Sequence, residues 1–201
     1  IKTHNAMCKI NNNLFTDEHN SLGAIYIVRD PRNIISSMCN HYSLNLDEAY
    51  VKMMDTNSSL SFKTADGDCS NFTFLGSWSN HYRSWKNDMN FKTLIIKYED
   101  LRDNTYDEFN KILNFIENLK GTHDKVNEEK MINAINSTSF SNLKNKEKLY
   151  GFGESAVSKD GKSINFFNLG FNNKWEKFLS KEVSDKIRDQ FLNELKELNY
   201  E

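Results

Sequence analysis

The chain has 201 residues with a formal net charge of −2, and 38% of them are hydrophobic, including 14 Phe, 8 Tyr and 3 Trp. That length suits one α/β domain spanning residues 1–201, with enough apolar matter for a core. The near-neutral charge excludes a global basic field of the kind that binds nucleic acid, so any phosphate must be held by a local cluster. Cys8, Cys39 and Cys69 lack metal-ligand spacing, which argues against a zinc site and a disulfide scaffold and fits a cytoplasmic setting. No run of 18 apolar residues exists, so this portion carries no transmembrane helix.

Ile1-Lys2-Thr3-His4 reads as a strand end entering a loop. Alternate strand residues share a face, which would put Lys2 and His4 on one side. A lone histidine is usually a surface or core residue, but an unperturbed pKa near ~6.5 also suits proton transfer. Residues 5–23 read as loop or short helix. Ile25 to Val28 is an apolar, β-branched run with the character of a buried parallel strand. Arg29-Asp30-Pro31 follows: Asp30 is a good N-cap, and Pro31 fits the first helical turn. Ile34, Ile35 and Met38 mark one face of the ensuing helix, with Ser37 about two turns in. An arginine at a strand's carboxyl end, a helix N-terminus and a nearby hydroxyl suit a phosphate. A well-capped βα corner, with Arg29 paired to a carboxylate, is the plainer alternative.

Asp47 to Met54 reads as a short helix. Residues 55–76, with Asp66, Gly67 and Asp68, form a polar loop that either borders an acceptor pocket or is a surface insertion. Trp78, Tyr82 and Trp85 line one face of a helix running to about Met89. Thr93 to Tyr98 is the second clear strand, and Tyr98 at its end either meets an adenine or sits at the core edge. Thr105 and Glu108 form a capping box for a helix striped by Phe109, Ile112, Leu113 and Ile116. Another helix starts at Asn127 and breaks at Ser137 to Phe140. Residues 150–163 are small and polar and read as a flexible loop folding over a ligand. Ser180 caps a last helix striped by Val183, Ile187, Phe191, Leu195 and Leu198.

Five segments, in order, resemble the sulfotransferases that use 3′-phosphoadenosine 5′-phosphosulfate (PAPS). Lys2-Thr3-His4 is similar to that family's Lys-Thr-His strand end. Arg29, Asp30, Pro31 and Ser37 resemble its 3′-phosphate segment, with Ser eight residues after Arg. Gly76-Ser77-Trp78, Tyr98-Glu99-Asp100 and Thr138-Ser139-Phe140 resemble three more of its motifs. The family's phosphosulfate loop lies upstream of Lys-Thr-His, so the chain looks like the carboxyl-terminal part of a longer protein. Where the family has Arg-Lys-Gly, this chain has Asn168-Leu169-Gly170; the glycine survives, as does the tryptophan that follows, Trp175.

The resemblance implies a P-loop NTPase-like sulfotransferase fold, a central parallel sheet flanked by helices, incomplete at the amino terminus. It implies transfer of a sulfuryl group from PAPS to a hydroxyl or amine of a small-molecule or carbohydrate acceptor, leaving 3′-phosphoadenosine 5′-phosphate (PAP), with no metal. His4 would be the general base and Lys2 the charge partner. Arg29 and Ser37 would hold the 3′-phosphate. Tyr98, Thr138, Ser139 and Phe140 would place the adenosine, and Asn168, Leu169 and Gly170 would line the nucleotide. Two alternatives stay open: a non-catalytic nucleotide- or partner-binding protein of the same fold, and a P-loop kinase relative.

Overall fold

Residues 1–4, expected as a strand end, form no strand among the described residues. The computed structural model describes residues 1–61, 72–87, 91–122, 125–158 and 160–201. The expected loop over 5–23 contains a hairpin instead, β1 (Lys9–Ile10) against β2 (Asn13–Leu14). Asn11 and Asn12 make its turn at φ 50° and 67°, a left-handed pair that asparagine tolerates.

The apolar run becomes β3 (Ala24–Val28). It alternates rather than being buried on both faces: Val28 is enclosed, while Ile27 is 53% exposed. An apolar run does not distinguish a strand covered once from one covered twice. Helix α1 (Pro31–Tyr42) starts as expected, with the Asp30 carboxylate accepting from Arg32 N. Helix α2 (Leu46–Met54) is capped reciprocally by Asn45 and Glu48, two bonds of 2.9 Å each.

Within 55–76, β4 (Ser59–Leu60) pairs with β5 (Thr73–Phe74). The part of the expected loop at 62–71 lies outside the described residues, as does Met89. Helix α3 (Trp78–Lys86) begins at its cap, where Ser77 Oγ accepts from Asn80 N. Strand β6 (Thr93–Lys97) pairs with β3 in a parallel sheet.

Tyr98 does not close that strand. It opens a short helix, α4 (Tyr98–Asp103). Helix α5 (Thr105–Lys120) has Asn104, not Thr105, at its N-cap position, with no capping bond from the Asn104 side chain, and the Thr105 hydroxyl donates to Arg102 O. The expected capping box is therefore one residue out of register, and Glu108 is buried against Lys111 instead. Helix α6 (Glu128–Ser137) follows its cap Asn127. Helix α7 (Phe140–Tyr150) has no counterpart in the sequence analysis. Its residues, Ser-Asn-Leu-Lys-Asn-Lys-Glu, carry almost no apolar stripe to betray it.

The loop expected at 150–163 holds a hairpin, β7 (Ala156–Val157) against β8 (Ser163–Ile164). It is tied to α7 by Glu147, which accepts from Ser155 Oγ, Phe166 N and Phe167 N at 2.6–3.0 Å. Burial opposes the Glu147 charge, but these donors hold its carboxyl below the usual range. The last helix is two: α8 (Lys181–Gln190) and α9 (Leu192–Glu197) meet at Phe191.

The chain divides into two units, Ile1–Val28 with Tyr50–Ile96, and Arg29–Ala49 with Lys97–Glu201. Val28, Tyr82, Trp85, Phe91 and Ile96 fill the first core; Ile35, Met131, Ile187, Phe191 and Leu195 fill the second. The parallel sheet with helices makes the fold α/β, as expected.

Candidate functional site

Arg29 and Tyr98 directly follow β3 and β6, and paired parallel strands deliver their carboxyl ends side by side. In the second unit the Arg29 guanidinium lies 4.4 Å over the Tyr98 ring. Its Nη1 donates to Ser37 Oγ at 3.3 Å, one face of α1 bringing the hydroxyl back over the strand end. Its Nε is buried and has no hydrogen-bond partner. The carboxylate expected for a plain βα corner is not what Arg29 meets. That role falls to Arg32, which holds Asp30 at 2.8 Å and Glu201 at 2.5 Å and stacks on Trp175.

A second arm of the site comes from residues 166–175. Asn173 is buried; its amide donates to Ser37 Oγ at 3.0 Å and to Asn33 O at 3.1 Å, and accepts from Ser36 Oγ at 2.6 Å. Trp175 N donates to Asn33 Oδ1 at 2.8 Å. These bonds dock the segment onto α1 beside Ser37. Asn168 contributes its backbone, whose carbonyl accepts from Lys144 Nζ at 3.0 Å. Leu169 O accepts from Asn172 N, closing the short turn Gly170–Asn172.

Gly170 has φ +53°, and a Cβ placed there would lie 2.6 Å from the Phe140 ring. The glycine is thus required twice, by backbone and by contact. Gly170→Ala is expected to destabilise the protein by about 1–3 kcal/mol, seen as a lower urea midpoint; an unchanged midpoint would mean that Phe140 swings aside freely. Phe140 also meets Phe167 edge-on at 6.0 Å. Thr138 turns its hydroxyl into its own helix end, donating to Ala134 O at 2.7 Å. Ser139 Oγ lies 3.4 Å from Ser141 Oγ.

In the first unit, Lys2 and His4 are exposed. The backbone from residue 4 onward is held mostly by side chains, with one backbone bond to β5. His81 Nε2 donates to His4 O at 3.1 Å, Trp85 Nε1 to Asn5 O at 3.0 Å, and Met7 N donates to Ser84 Oγ at 3.0 Å. Ala6 N donates to Phe74 O, and Phe74 N to Asn5 Oδ1. A cavity of about 410 Å³ opens next to this segment, lined by Asn5, Cys8, Asn11, Asn13, Phe15 and Phe72 among others.

The profile of the sulfotransferase domain matches residues 1–199. The chain belongs to the sulfotransferase family. A curated sulfotransferase of the dog, Sulfotransferase 1B1, is 30% identical over 114 residues, 56% of this chain and 36% of its own length. Mouse sulfotransferase SULT7A1, solved in complex with PAP, superposes with a TM-score of 0.53 at 22% identity, over 89% of this chain and 59% of the mouse chain. Retinol dehydratase, solved with retinol and PAP, gives 0.55 at 20%, over 87% and 48%. The chain thus spans about a third to three fifths of the lengths of these relatives.

Some parts of this candidate site went unmarked in the sequence. Asn173 and Asn33 look like ordinary polar residues, and only the segment's docking gives them a role. The Arg32 cluster is long-range, joining residue 32 to 201. It lines a larger cavity, about 590 Å³, in the second unit, whose arginines are each paired with a carboxylate. There the Tyr200 phenol, pushed far up by burial and by Glu99, donates to Glu99 Oε2 at 2.6 Å.

Proposed function

We propose that the protein transfers the sulfuryl group of PAPS to the hydroxyl or amine of an acceptor. The observation that carries this is the state of Arg29. A buried donor without a partner costs about 1–3 kcal/mol, and Arg29 Nε is such a donor, on a guanidinium already aimed by Ser37 and Tyr98. An anion offering several oxygens would satisfy it, as the 3′-phosphate of PAPS does in charge and shape.

When bound, PAPS supplies the activated sulfuryl group and leaves as PAP. This chain's residues do the rest. Arg29 and Ser37 hold the 3′-phosphate. Tyr98, Phe140, Thr138 and Ser139 position the adenosine, with Phe140 as the ring that stacks. Asn168, Leu169 and Gly170 line the nucleotide through backbone, since the side chains there are uncharged. The Asn173 amide supports Ser37 from behind. His4 takes the acceptor proton as the oxygen or nitrogen bonds to sulfur, and Lys2 offsets charge growing on the transferred group. The cavity beside Asn5 has no charged side chain among its described lining, which suits an uncharged small molecule or sugar as acceptor.

The test is a pair of melting curves. PAP at 100 times its dissociation constant should stabilise the protein by about 2.7 kcal/mol, and ATP at the same concentration by clearly less, since ATP lacks the 3′-phosphate. Equal or greater stabilisation by ATP would overturn the assignment in favour of a kinase-like site.

A further inference from the structure

His4 itself lies in no strand, and the backbone bond to β5 comes only at Ala6, so something else must fix where the imidazole points. Helix α3 supplies three anchors at one-turn spacing. His81, Ser84 and Trp85 share a face, and they bind residues 4, 7 and 5 through side-chain-to-backbone hydrogen bonds of 3.0–3.1 Å. The anchor on residue 4 itself is His81.

The roles of its two nitrogens follow from their partners. A carbonyl oxygen only accepts, so Nε2, 3.1 Å from His4 O, carries the hydrogen. Nδ1 lies 2.9 Å from the Tyr26 hydroxyl, which comes from β3. With the hydrogen on Nε2, Nδ1 of a neutral ring accepts and Tyr26 donates. Burial keeps His81 in that neutral form by lowering its pKa, and keeps Tyr26 a phenol by raising its own. Both rings are clamped further by the Tyr26–His81 and Tyr26–Tyr82 contacts at 5.6 and 6.1 Å between centroids.

We propose that His81 is a positioning residue for His4, fixing the backbone from which the His4 imidazole projects, and that the Tyr26 hydroxyl, donating to Nδ1, holds the His81 ring in the orientation that lets it do so. This rests on His4 acting as the base. Misplacing a reacting group by about 1 Å can lower turnover by as much as ~10²-fold, so a loosened His4 acts on kcat, not on nucleotide affinity.

Three variants test it: His81→Phe removes the donor, His81→Gln keeps one at the same reach, and Tyr26→Phe removes only the hydroxyl. The expected result is a fall in kcat of roughly 10- to 100-fold for His81→Phe, recovery in His81→Gln, and PAP affinity unchanged in both. Nitrogen-15 spectra of His81 should show the Nε2–H form in the wild type, and in Tyr26→Phe the same form with an Nδ1 signal shifted by the loss of its hydrogen-bond donor. Backbone relaxation at residues 4–7 should report greater nanosecond motion in His81→Phe, a readout independent of turnover. If His81→Gln loses as much kcat as His81→Phe, or if His81→Phe changes neither kcat nor motion, the positioning role is overturned. If instead His4→Ala keeps its turnover, the base assignment is what fails, whatever the relaxation data show at residue 4.

Discussion

Turnover is expected to fall by about 10²–10⁴-fold when His4 is replaced by alanine, while PAP binding is expected to persist. The loss has this size because the acceptor oxygen or nitrogen must shed its proton as it bonds to sulfur, and alanine offers nothing to take it. Affinity is spared because the groups assigned to the nucleotide lie on the other unit, at Arg29, Ser37 and Phe140. The backbone at residue 4 is held through its carbonyl, not its imidazole, so the substitution leaves the segment in place. The assay is initial rate against acceptor concentration, with PAP affinity measured separately by calorimetry. Wild-type turnover in His4→Ala would remove the residue from the chemistry. A joint loss of turnover and affinity would point to damage beyond the base.

Replacing Arg29 by alanine is expected to weaken PAP binding by roughly 10- to 100-fold, the equivalent of the ~1.5–3 kcal/mol attached to a hydrogen bond with a charged group. The same change should cost the fold little. Arg29 gives Ser37 one bond and rests on Tyr98, but its Nε is buried unpaired, so deleting the side chain also removes an unsatisfied donor. Arg29→Lys should recover only part of the affinity, because an ammonium keeps the charge but loses the planar fork. Calorimetry with PAP reads both variants, and a urea melt reads the fold. An Arg29→Ala protein that binds PAP like the wild type would take Arg29 out of the site. One that unfolds more easily than the wild type would mean that the guanidinium serves the βα corner instead.

The elements legible in the sequence share a local cause. Strand β3, the Asp30-Pro31 start of α1, the Ser180 cap, and the stripe of α5 each follow from residues within one or two turns of each other. The failures share one too. The pairs β1–β2, β4–β5 and β7–β8 use strands of two residues, too short to show a period. Helix α7 has too few apolar residues to announce itself, and Tyr98 starts a helix that its strand-like predecessors conceal.

The candidate site divides the same way. Arg29, Ser37, Phe140 and Gly170 were named from motifs, and the second unit brings Arg29 to Ser37 and Gly170 to Phe140. Asn173 behind Ser37, and His81 and Tyr26 behind His4, were given no part in the site, because nothing local marks those roles.

By itself the sequence determined the α/β class, the order of the five motifs and the residue types proposed to face a phosphate, because strand character, caps and motif spacing are properties of neighbouring residues. Only the tertiary structure decided which partners those residues have: that Arg29 keeps an unmatched donor, that Arg32 takes the carboxylates, and that a helix some 80 residues away grips the backbone of His4. Hydrogen bonds between distant segments depend on how the chain returns upon itself, and no local pattern encodes that return.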